Sequence, residues 1–338
     1  MGWIQEKTGQ KKALFPGSGG HAPQSRLFFS GRGRYSPPAA TPIPSRFVNA
    51  KPAALLRLAR PRQWVKNAFV AAPLFFTPPA WAPAPAAAVG LTIILFCLLA
   101  SAAYVINDYA DREADRHHPV KCKRPIASGE VAPGAALVLA ALLLAGAAAL
   151  GVGFLPEAVW PIAFLYFALN LLYSFWLKHV AILDVLIVSA GFVLRVEAGA
   201  AAIDVEPTVW IVICTGLLAL FLAIAKRRDD IAKVMSQSHR PSLAGYNLRF
   251  IDTALAMILG ALLVSYLIYT TDHAVIARYG TDKLYLTTPF VVAGVLRYLQ
   301  ITLVEERSGS PTDIALTDPF LIVTVLGWIA VFGVLIYG

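Results

Sequence analysis

Charged side chains are scarce in this chain, and that scarcity decides its class. Asp, Glu, Lys and Arg together make up 14% of the 338 residues, whereas hydrophobic types make up 57%. Soluble globular domains carry about 25% charged residues, so this chain has too few to cover a surface exposed to water. The composition excludes a soluble enzyme or binding domain and indicates an integral membrane protein.

Cysteine is also rare, which bears on disulfide and metal chemistry. The three cysteines, Cys97, Cys122 and Cys214, are far apart in the chain, and two of them lie in apolar stretches. That spacing indicates neither a disulfide framework nor a zinc site. The histidines near the apolar stretches show no ligand spacing, so we expect no metal at them either.

Hydrophobic runs of membrane length are abundant. A helix needs roughly 20 apolar residues to cross the hydrocarbon core of a bilayer. Six stretches reach that length, at residues 88–106, 132–155, 158–177, 207–225, 251–271 and 318–337. Three weaker stretches, interrupted by proline or by charge, lie at residues 64–81, 180–202 and 286–304. The sequence therefore predicts an all-α integral membrane protein with about nine transmembrane helices.

Basic residues distinguish the two ends of these helices. Nearly all Lys and Arg fall before the first predicted span or in alternate loops, chiefly 107–131 and 226–250. Because Lys and Arg in short loops stay in the cytoplasm, the N-terminus and these loops are predicted to be cytoplasmic. Residues 1–56, rich in Gly, Pro, Ser and Arg, predict a disordered cytoplasmic tail, and residues 57–338 the transmembrane domain. No basic soluble domain accounts for the net charge of +9, so we expect no nucleic-acid partner.

Acidic residues cluster directly after the second predicted span, in the stretch NDYADREAD. Asp108, Asp111 and Asp115 are spaced three and four residues apart, which places them on one face of a helix. Carboxylates on one stripe repel each other unless a cation lies among them. Mg²⁺ prefers oxygen ligands and combines one or two carboxylates with substrate phosphates, so the stripe favours a magnesium–diphosphate site. The alternatives are solvated carboxylates at a helix end and a structural ion-pair cluster.

Cations follow the acidic stripe at once. Lys121 and Arg124 lie in a loop bounded by Pro119 and Pro125, near enough to fold back over the same site. We expect the carboxylates to bind the metal and these cations to bind the phosphates of the ligand.

The pattern N-D-x-x-D-x-x-x-D, from Asn107 to Asp115, resembles the first aspartate motif of the UbiA superfamily of membrane prenyltransferases. The resemblance covers roughly residues 57–338. It implies an all-α bundle around a central cavity open to the cytoplasmic side, with Mg²⁺ and Asn107 at a bound diphosphate.

The chain departs from the superfamily pattern at its second aspartate motif. Where most members carry D-x-x-x-D, this chain reads AKRRDDIAKV, with Asp229 and Asp230 adjacent. Together with RPRQWVKN, HPVKCKRPIASG, YSFWLKHVAILD and GSPTDIALTDP, this resembles the branch that transfers phosphoribosyl groups to polyprenyl phosphates. The branch implies that phosphoribosyl pyrophosphate is the donor and a decaprenyl-like phosphate the acceptor, in the bacterial inner membrane, for cell-envelope arabinan precursors.

Four further segments offer candidate ligands of the substrate. We expect Lys66 to bind phosphate, although a cytoplasmic anchor beside Trp64 would also explain it. The resemblance implies that Tyr173 and Lys178 hold the ribose 5-phosphate or the lipid phosphate, which requires the fourth helix to end between them; the alternative is a snorkelling Lys.

The remaining candidate ligands of the substrate are charged residues inside or beside the later spans. Asp184 and Arg195 fall on nearly the same face of the fifth span, and both should face the bundle interior because charges are costly in lipid. Asp184 either positions the ribose hydroxyls or belongs to a structural network. Lys226 and Arg227, after the sixth span, either meet phosphate or flank a solvated helix end.

Two rival functions fit the same features. A UbiA-type enzyme could move a polyprenyl group from its diphosphate to an aromatic or quinone acceptor. A transporter of phosphorylated lipid or sugar could use the same charges without chemistry. The sequence favours the phosphoribosyltransferase, because an ionised acceptor phosphate needs no general base and the chain offers no convincing one.

Overall fold

The computed structural model describes residues 51–77, 82–234 and 245–338 of the chain. These residues form helices and connecting turns without a strand, as the sequence predicts. The predicted tail up to residue 50 and residues 235–244 of the predicted second charged loop lie outside the described residues.

The α-helices of the described residues are α1 (Pro52–Ala59), α2 (Ala72–Phe75), α3 (Pro83–Ala110), α4 (Arg112–Arg116), α5 (Pro133–Phe154), α6 (Val159–Phe175), α7 (Leu183–Ala202), α8 (Val209–Val234), α9 (Leu248–Thr271), α10 (His273–Tyr279), α11 (Thr288–Leu303), α12 (Pro311–Thr317) and α13 (Pro319–Tyr337). Short 3₁₀ helices connect several of them, and the longest is Pro61–Ala71.

Seven helices within the described residues are long and apolar enough to span a membrane: α3, α5, α7, α8, α9, α11 with the 3₁₀ turn before it, and α13. The prediction of about nine is roughly compatible with this result. Of the other two predicted spans, one is α6, whose 17 residues rise about 26 Å, short of a full crossing. The other is the segment Pro61–Phe75, a 3₁₀ helix followed by the single turn α2. The structure describes this predicted span, residues 64–81, only as far as residue 77, and Pro73 within it has no N–H to donate to a helical hydrogen bond.

Helix α1 starts inside the segment predicted as tail. Pro52 occupies its first turn, where the missing N–H costs nothing, and Ala54 and Leu58 are fully buried against Val105 and Ile126. The helix ends at Arg60, which adopts a left-handed backbone with φ 54°. This apolar contact stabilises a helix within the segment that the sequence predicts as tail.

The helices of the bundle pack side by side, and at one point two backbones approach each other closely. Helix α3 packs against α5 and α6, α7 against α6 and α8, and α8 against α9. The Pro61–Ala71 segment lies against α7 where a Cβ on Gly199 would come within 1.9 Å of the Val70 carbonyl oxygen. Glycine is therefore required at Gly199, and its contact seats Lys66 and Asn67 beside the inner face of α7.

The C-terminal end of helix α8 differs from the sequence prediction. A loop was predicted from residue 226, but the helix continues to Val234. The physical reason is that its charges have partners inside the protein: Arg227 pairs with Asp184, and Arg228 with Asp252. Charges that would end a helix at a membrane surface are here stabilised by ion pairs with other helices.

Candidate active site

The predicted acidic stripe lies at the junction of α3 and α4. Asp111 links the two helices without breaking the helical register, since its N–H donates to Asn107 O at 2.9 Å and Asp115 N–H donates to Asp111 O at 2.8 Å. Asp108 and Asp115 are 2% and 3% exposed, and Asp111 is half-buried. The three side chains therefore face the protein, which excludes ordinary solvated carboxylates at a helix end.

Each of these carboxylates is paired with a cation. Arg60 donates through Nη2 to both oxygens of Asp108, at 2.6 and 2.9 Å. Arg124 Nη1 donates to Asp108 at 3.1 Å and to Asp115 at 2.7 Å, so one nitrogen joins two carboxylates.

Asp111 takes its cation from a different helix. Lys178 Nζ donates to Asp111 Oδ1 at 2.6 Å, and Asn107 Nδ2 donates to Oδ2 at 3.2 Å. The carboxylates of Asp108, Asp111 and Asp115 thus face an equal number of cationic side chains, Arg60, Arg124 and Lys178.

Local backbone features bring these cations to the acidic stripe. Arg60 is itself the left-handed residue that ends α1, and Arg124 follows the 3₁₀ turn Lys121–Lys123, which also carries the partly buried Lys121. Helix α6 ends at Phe175, between Tyr173 and Lys178, as the sequence interpretation required. The Arg124 loop folds back as expected, whereas the role of Arg60 was missed because nothing in the sequence indicates the left-handed turn.

The donor set suits a hard divalent cation. Carboxylate and amide oxygens are the ligands Mg²⁺ prefers, and it commonly takes one or two carboxylates and completes its shell with water and phosphate oxygens. Asp108 and Asp115 already converge on one cationic atom, Arg124 Nη1. The described residues contain no group of three or more acidic, His or Cys side chains placed to hold a metal alone. The geometry thus fits a metal that shares its coordination with a ligand.

Asp184 organises a second buried network, on α7. Its carboxylate is fully buried and accepts from Arg227 Nε and from Tyr246 Oη, each at 2.7 Å. Arg227 also donates to Asp230 at 2.6 Å and lies within electrostatic reach of Tyr173. The sequence analysis assigns Asp184 and Arg227 separate roles, whereas in the structure they form an ion pair. Lys226 is exposed on α8 beside Arg227.

A strained residue supports this second network. Ile182 adopts φ 73°, a left-handed conformation that is costly for a β-branched residue. Its N–H donates to Tyr246 Oη at 2.6 Å, and the same hydroxyl donates to Asp184. Strained residues of this kind cluster at functional sites, where surrounding contacts hold them.

Arg195, which the sequence marked only as a buried charge, does not contact Asp184. It is 6% exposed and donates to Asn67 Oδ1 at 2.8 Å, to Gly191 O at 2.7 Å and to Tyr166 Oη at 2.7 Å. None of these partners is an acid. The sequence offers one signal of this contact, the polar Asn67 in the stretch RPRQWVKN. In the structure Asn67 is fully buried.

Lys66 lies next to this arginine and outside the spanning helices. Its burial and the nearby Arg195 and Arg60 guanidinium groups lower its pKa to about 8. Among the described residues it has no carboxylate partner. A partly buried cation whose charged form is disfavoured in this way is expected to gain from a bound anion.

Comparisons with known proteins agree with these features. The profile of the UbiA prenyltransferase family matches residues 67–324. A decaprenyl-phosphate phosphoribosyltransferase of Mycolicibacterium smegmatis is 36% identical over 304 residues, covering 84% of this chain and 92% of that protein. One of Corynebacterium glutamicum is 34% identical over 286 residues, covering 81% and 84%.

A solved structure supports the fold. A UbiA homolog from Archaeoglobus fulgidus, solved with DMAPP and Mg²⁺ bound, superposes with a TM-score of 0.62. The alignment covers 84% of this chain and 99% of that one, at 21% identity. The helical bundle described above is therefore shared with that protein.

Proposed function

The chain belongs to the UbiA prenyltransferase family, and we propose that it transfers the 5-phosphoribosyl group of phosphoribosyl pyrophosphate to a polyprenyl phosphate, releasing pyrophosphate. The observation that carries the proposal is the balanced cluster at the end of α3. A metal bound by Asp108, Asp111 and Asp115 would compete with the present partners of these carboxylates. Those partners, Arg60, Arg124 and Lys178, are then free to bind phosphate.

With this exchange, the carboxylates and the cations of the site each face an opposite charge both with and without substrate. In the ligand-free chain, the carboxylates stabilise cations that would otherwise repel each other. When Mg²⁺ is bound, it neutralises the diphosphate and stabilises it as a leaving group. Arg124, Lys121 and Arg60 then donate to diphosphate oxygens, and Asn107 keeps Asp111 oriented toward the metal.

Sugar recognition belongs to the second network. Tyr173 and Lys178 lie at the end of α6 and would hold the ribose 5-phosphate. Asp184 retains lone pairs for ribose hydroxyls, while Arg227 and Tyr246 fix its orientation. Lys226, exposed beside Arg227, would attract the incoming phosphate groups.

The transfer is a substitution at C1 of the ribose. A phosphate oxygen of the lipid forms the new bond to C1 as the C1–O bond to pyrophosphate breaks, and the leaving pyrophosphate keeps the electron pair. The attacking phosphate is already ionised at neutral pH, so no side chain has to remove a proton. Positioning and electrostatic stabilisation would supply most of the rate.

The adjacent aspartates of α8 favour this function over prenyl transfer to an aromatic acceptor. Neighbouring residues on a helix point about 100° apart, so Asp229 and Asp230 do not present two carboxylates to one metal. Asp230 already accepts from Arg227, and Asp229 is buried. This arrangement disfavours a second metal–diphosphate site built on α8.

Two pairs of donor and acceptor, offered in separate reactions, test the proposal. Purified protein in nanodiscs, with Mg²⁺, is offered either phosphoribosyl pyrophosphate with a polyprenyl phosphate or a polyprenyl diphosphate with 4-hydroxybenzoate. We expect product only from the first pair, accompanied by pyrophosphate in equal amount. Product from the second pair alone would establish the prenyltransferase alternative, and ligand flux across proteoliposomes without pyrophosphate release would establish the transporter.

The location of the reaction is also a proposal. The basic loops, which hold Lys121, Arg124 and Lys178, favour an active site on the cytoplasmic side of a bacterial inner membrane, with a cytoplasmic N-terminus. The product would be a lipid-linked pentose phosphate, an activated form suited to building cell-envelope arabinan. Labelling introduced cysteines with a membrane-impermeant reagent in intact cells and in inverted vesicles tests the orientation.

A further inference from the structure

Two neighbouring cations, the buried Arg195 and the partly buried Lys66, have no acidic partner among the described residues. Arg195 donates only to neutral oxygens, those of Asn67, Gly191 and Tyr166. Lys66 directly precedes Asn67, whose side chain accepts from Arg195 at 2.8 Å, and it is near enough to Arg195 to feel its charge. Every cation of the acidic stripe, in contrast, is matched by a carboxylate. The charges of Lys66 and Arg195 thus differ from those of Arg60, Arg124 and Lys178, each of which lies against a carboxylate.

An unmatched buried charge is costly in a membrane protein and indicates a function that compensates for it. Charges within spanning helices normally pair with each other, line a water-filled path or meet a ligand. A phosphate monoester carries about −1.5 to −2 charges at neutral pH, which matches this pair of cations. The surroundings thus fit an anion of that class.

Arg195 is also held in a fixed orientation with donors to spare. A guanidinium has five N–H donors, and the three hydrogen bonds to Asn67, Gly191 and Tyr166 use three of them. Two N–H donors of this fixed guanidinium therefore remain for an anion. Preorganised donors of this kind lose little entropy when a ligand binds.

One side of Arg195 is aromatic. The Arg195 guanidinium lies over the Phe192 ring, 5.1 Å from its centroid, and Phe192 packs edge-to-face on Phe69 at 5.0 Å. Arg195 lies eleven residues after Asp184 on α7, which is about 16 Å along the helix axis. An anion with a hydrocarbon tail fits such surroundings better than a free sugar phosphate does.

The pair nevertheless adjoins the acidic stripe. Arg60, the partner of Asp108, lies 4.9 Å from the centroid of the Tyr104 ring, and Tyr104 feels the charge of Arg195 as well as that of Asp108. A phosphate held by Lys66 and Arg195 would thus lie next to the diphosphate position and could present an oxygen to the sugar.

We infer that Lys66 and Arg195 form a separate binding site for the phosphate monoester of the lipid acceptor, with Asn67 and Tyr166 as positioning residues. The inference deepens the proposed function and rests on it for the identity of the acceptor. It assigns the donor phosphates to the acidic stripe and the α6 end, and the acceptor phosphate to the deeper cation pair.

Binding without turnover tests the assignment. Full-length protein in nanodiscs is titrated with farnesyl phosphate, with farnesol and with ribose 5-phosphate, all without donor. We expect wild type to bind farnesyl phosphate at least about 10-fold more tightly than farnesol, the difference made by charge-assisted hydrogen bonds. Lys66→Met and Arg195→Met should each weaken farnesyl phosphate about 10- to 100-fold and leave farnesol unchanged.

Two control variants distinguish the loss of a charge at this site from the loss of a charge elsewhere in the protein. Lys283→Met, a lysine outside the site, should leave both affinities unchanged. Arg195→Lys keeps the charge but not the fork of donors, so it should retain part of the affinity, and it replaces Arg195→Met if that variant does not fold. Equal binding of farnesyl phosphate by wild type and Lys66→Met would overturn the inference, and so would selective loss of ribose 5-phosphate binding in that variant.

Failure of the inference and failure of the proposed function give different results. If wild type binds farnesyl phosphate in a Lys66-dependent way but transfers no phosphoribose, the anion site stands and the proposed reaction falls. If transfer occurs and Lys66→Met raises the KM for phosphoribosyl pyrophosphate but not for the lipid, the reaction stands and the acceptor site falls.

Discussion

At the scale of single residues, the acidic stripe combines buried carboxylates with cations that can change partners. Arg124 holds Asp108 and Asp115 with one nitrogen, and Lys178 holds Asp111. Such pairs are costly to break by removing one partner, because the other charge stays buried. A diphosphate that binds together with a metal offers each member of such a pair a new partner at once. The metal takes the place of the cation beside the carboxylate, and the phosphate takes the place of the carboxylate beside the cation.

The first prediction concerns Asp111→Asn. The substitution keeps the side-chain shape but removes a charge that the proposal assigns to the metal, so kcat/KM should fall by at least about 100-fold. Folding should be retained, because Asp111 is half-exposed. Steady-state kinetics and a thermal melt measure the two effects. Glu113→Gln, in the same motif but exposed and paired only with its neighbours Arg112 and Arg116, serves as the control and should keep wild-type activity.

A pH dependence follows from Lys66. The pKa of Lys66 in the free protein is about 8, lowered by burial and by Arg195 and Arg60, and only the protonated amine can bind the acceptor phosphate. The phosphate itself has its second pKa at about 6, so it does not titrate above pH 7. The KM for the lipid should therefore rise as pH increases through about 8. In Lys66→Arg the guanidinium stays charged, and a rise of the same size in that variant would contradict the assignment.

At the scale of the elements, Tyr246 links the α7 turn to the segment before α9. Its hydroxyl accepts from the Ile182 N–H and donates to the buried Asp184. Tyr246→Phe leaves both groups without this partner and should lower the free energy of unfolding by about 1–3 kcal/mol. The matched control is Tyr298→Phe, because the Tyr298 hydroxyl is buried without a partner in the described region. Unfolding in a mixed-micelle denaturant series should show a clear loss for the first variant and none for the second.

The contact of the Pro61–Ala71 segment with α7 can be tested through Gly199. Gly199→Ala would place a methyl group against the Val70 carbonyl and force the segment away from α7, displacing Lys66 and Asn67. We expect a loss of stability of about 1–3 kcal/mol and weaker acceptor binding. Gly90→Ala in α3 has open space around its Cβ and should be neutral or slightly stabilising. Unchanged acceptor affinity in Gly199→Ala would contradict this account of how Lys66 is placed.

At the scale of the whole molecule, local sequence signals predicted much of the architecture. Apolar length predicted the spanning helices, and the spacing of Asp108, Asp111 and Asp115 predicted a shared face. The position of Arg60 was not predictable, since it depends on a left-handed turn with φ 54°. The continuation of α8 was missed because the partner of Arg227, Asp184, lies 43 residues earlier in the chain. The first depends on the backbone conformation of a single residue and the second on a contact between distant segments, and hydrophobic periodicity reports neither.

The most direct measurement of the central claim follows two labels in one reaction. Protein in nanodiscs receives Mg²⁺, a polyprenyl phosphate, and phosphoribosyl pyrophosphate carrying ¹⁴C in the ribose and ³²P in the pyrophosphate. We predict that ¹⁴C enters the lipid phase while ³²P stays in water, and that chelation of Mg²⁺ or the Asp111→Asn variant stops both events. If ¹⁴C remains in water while Mg²⁺ and the lipid phosphate are saturating, the claim that this cluster transfers phosphoribose is wrong.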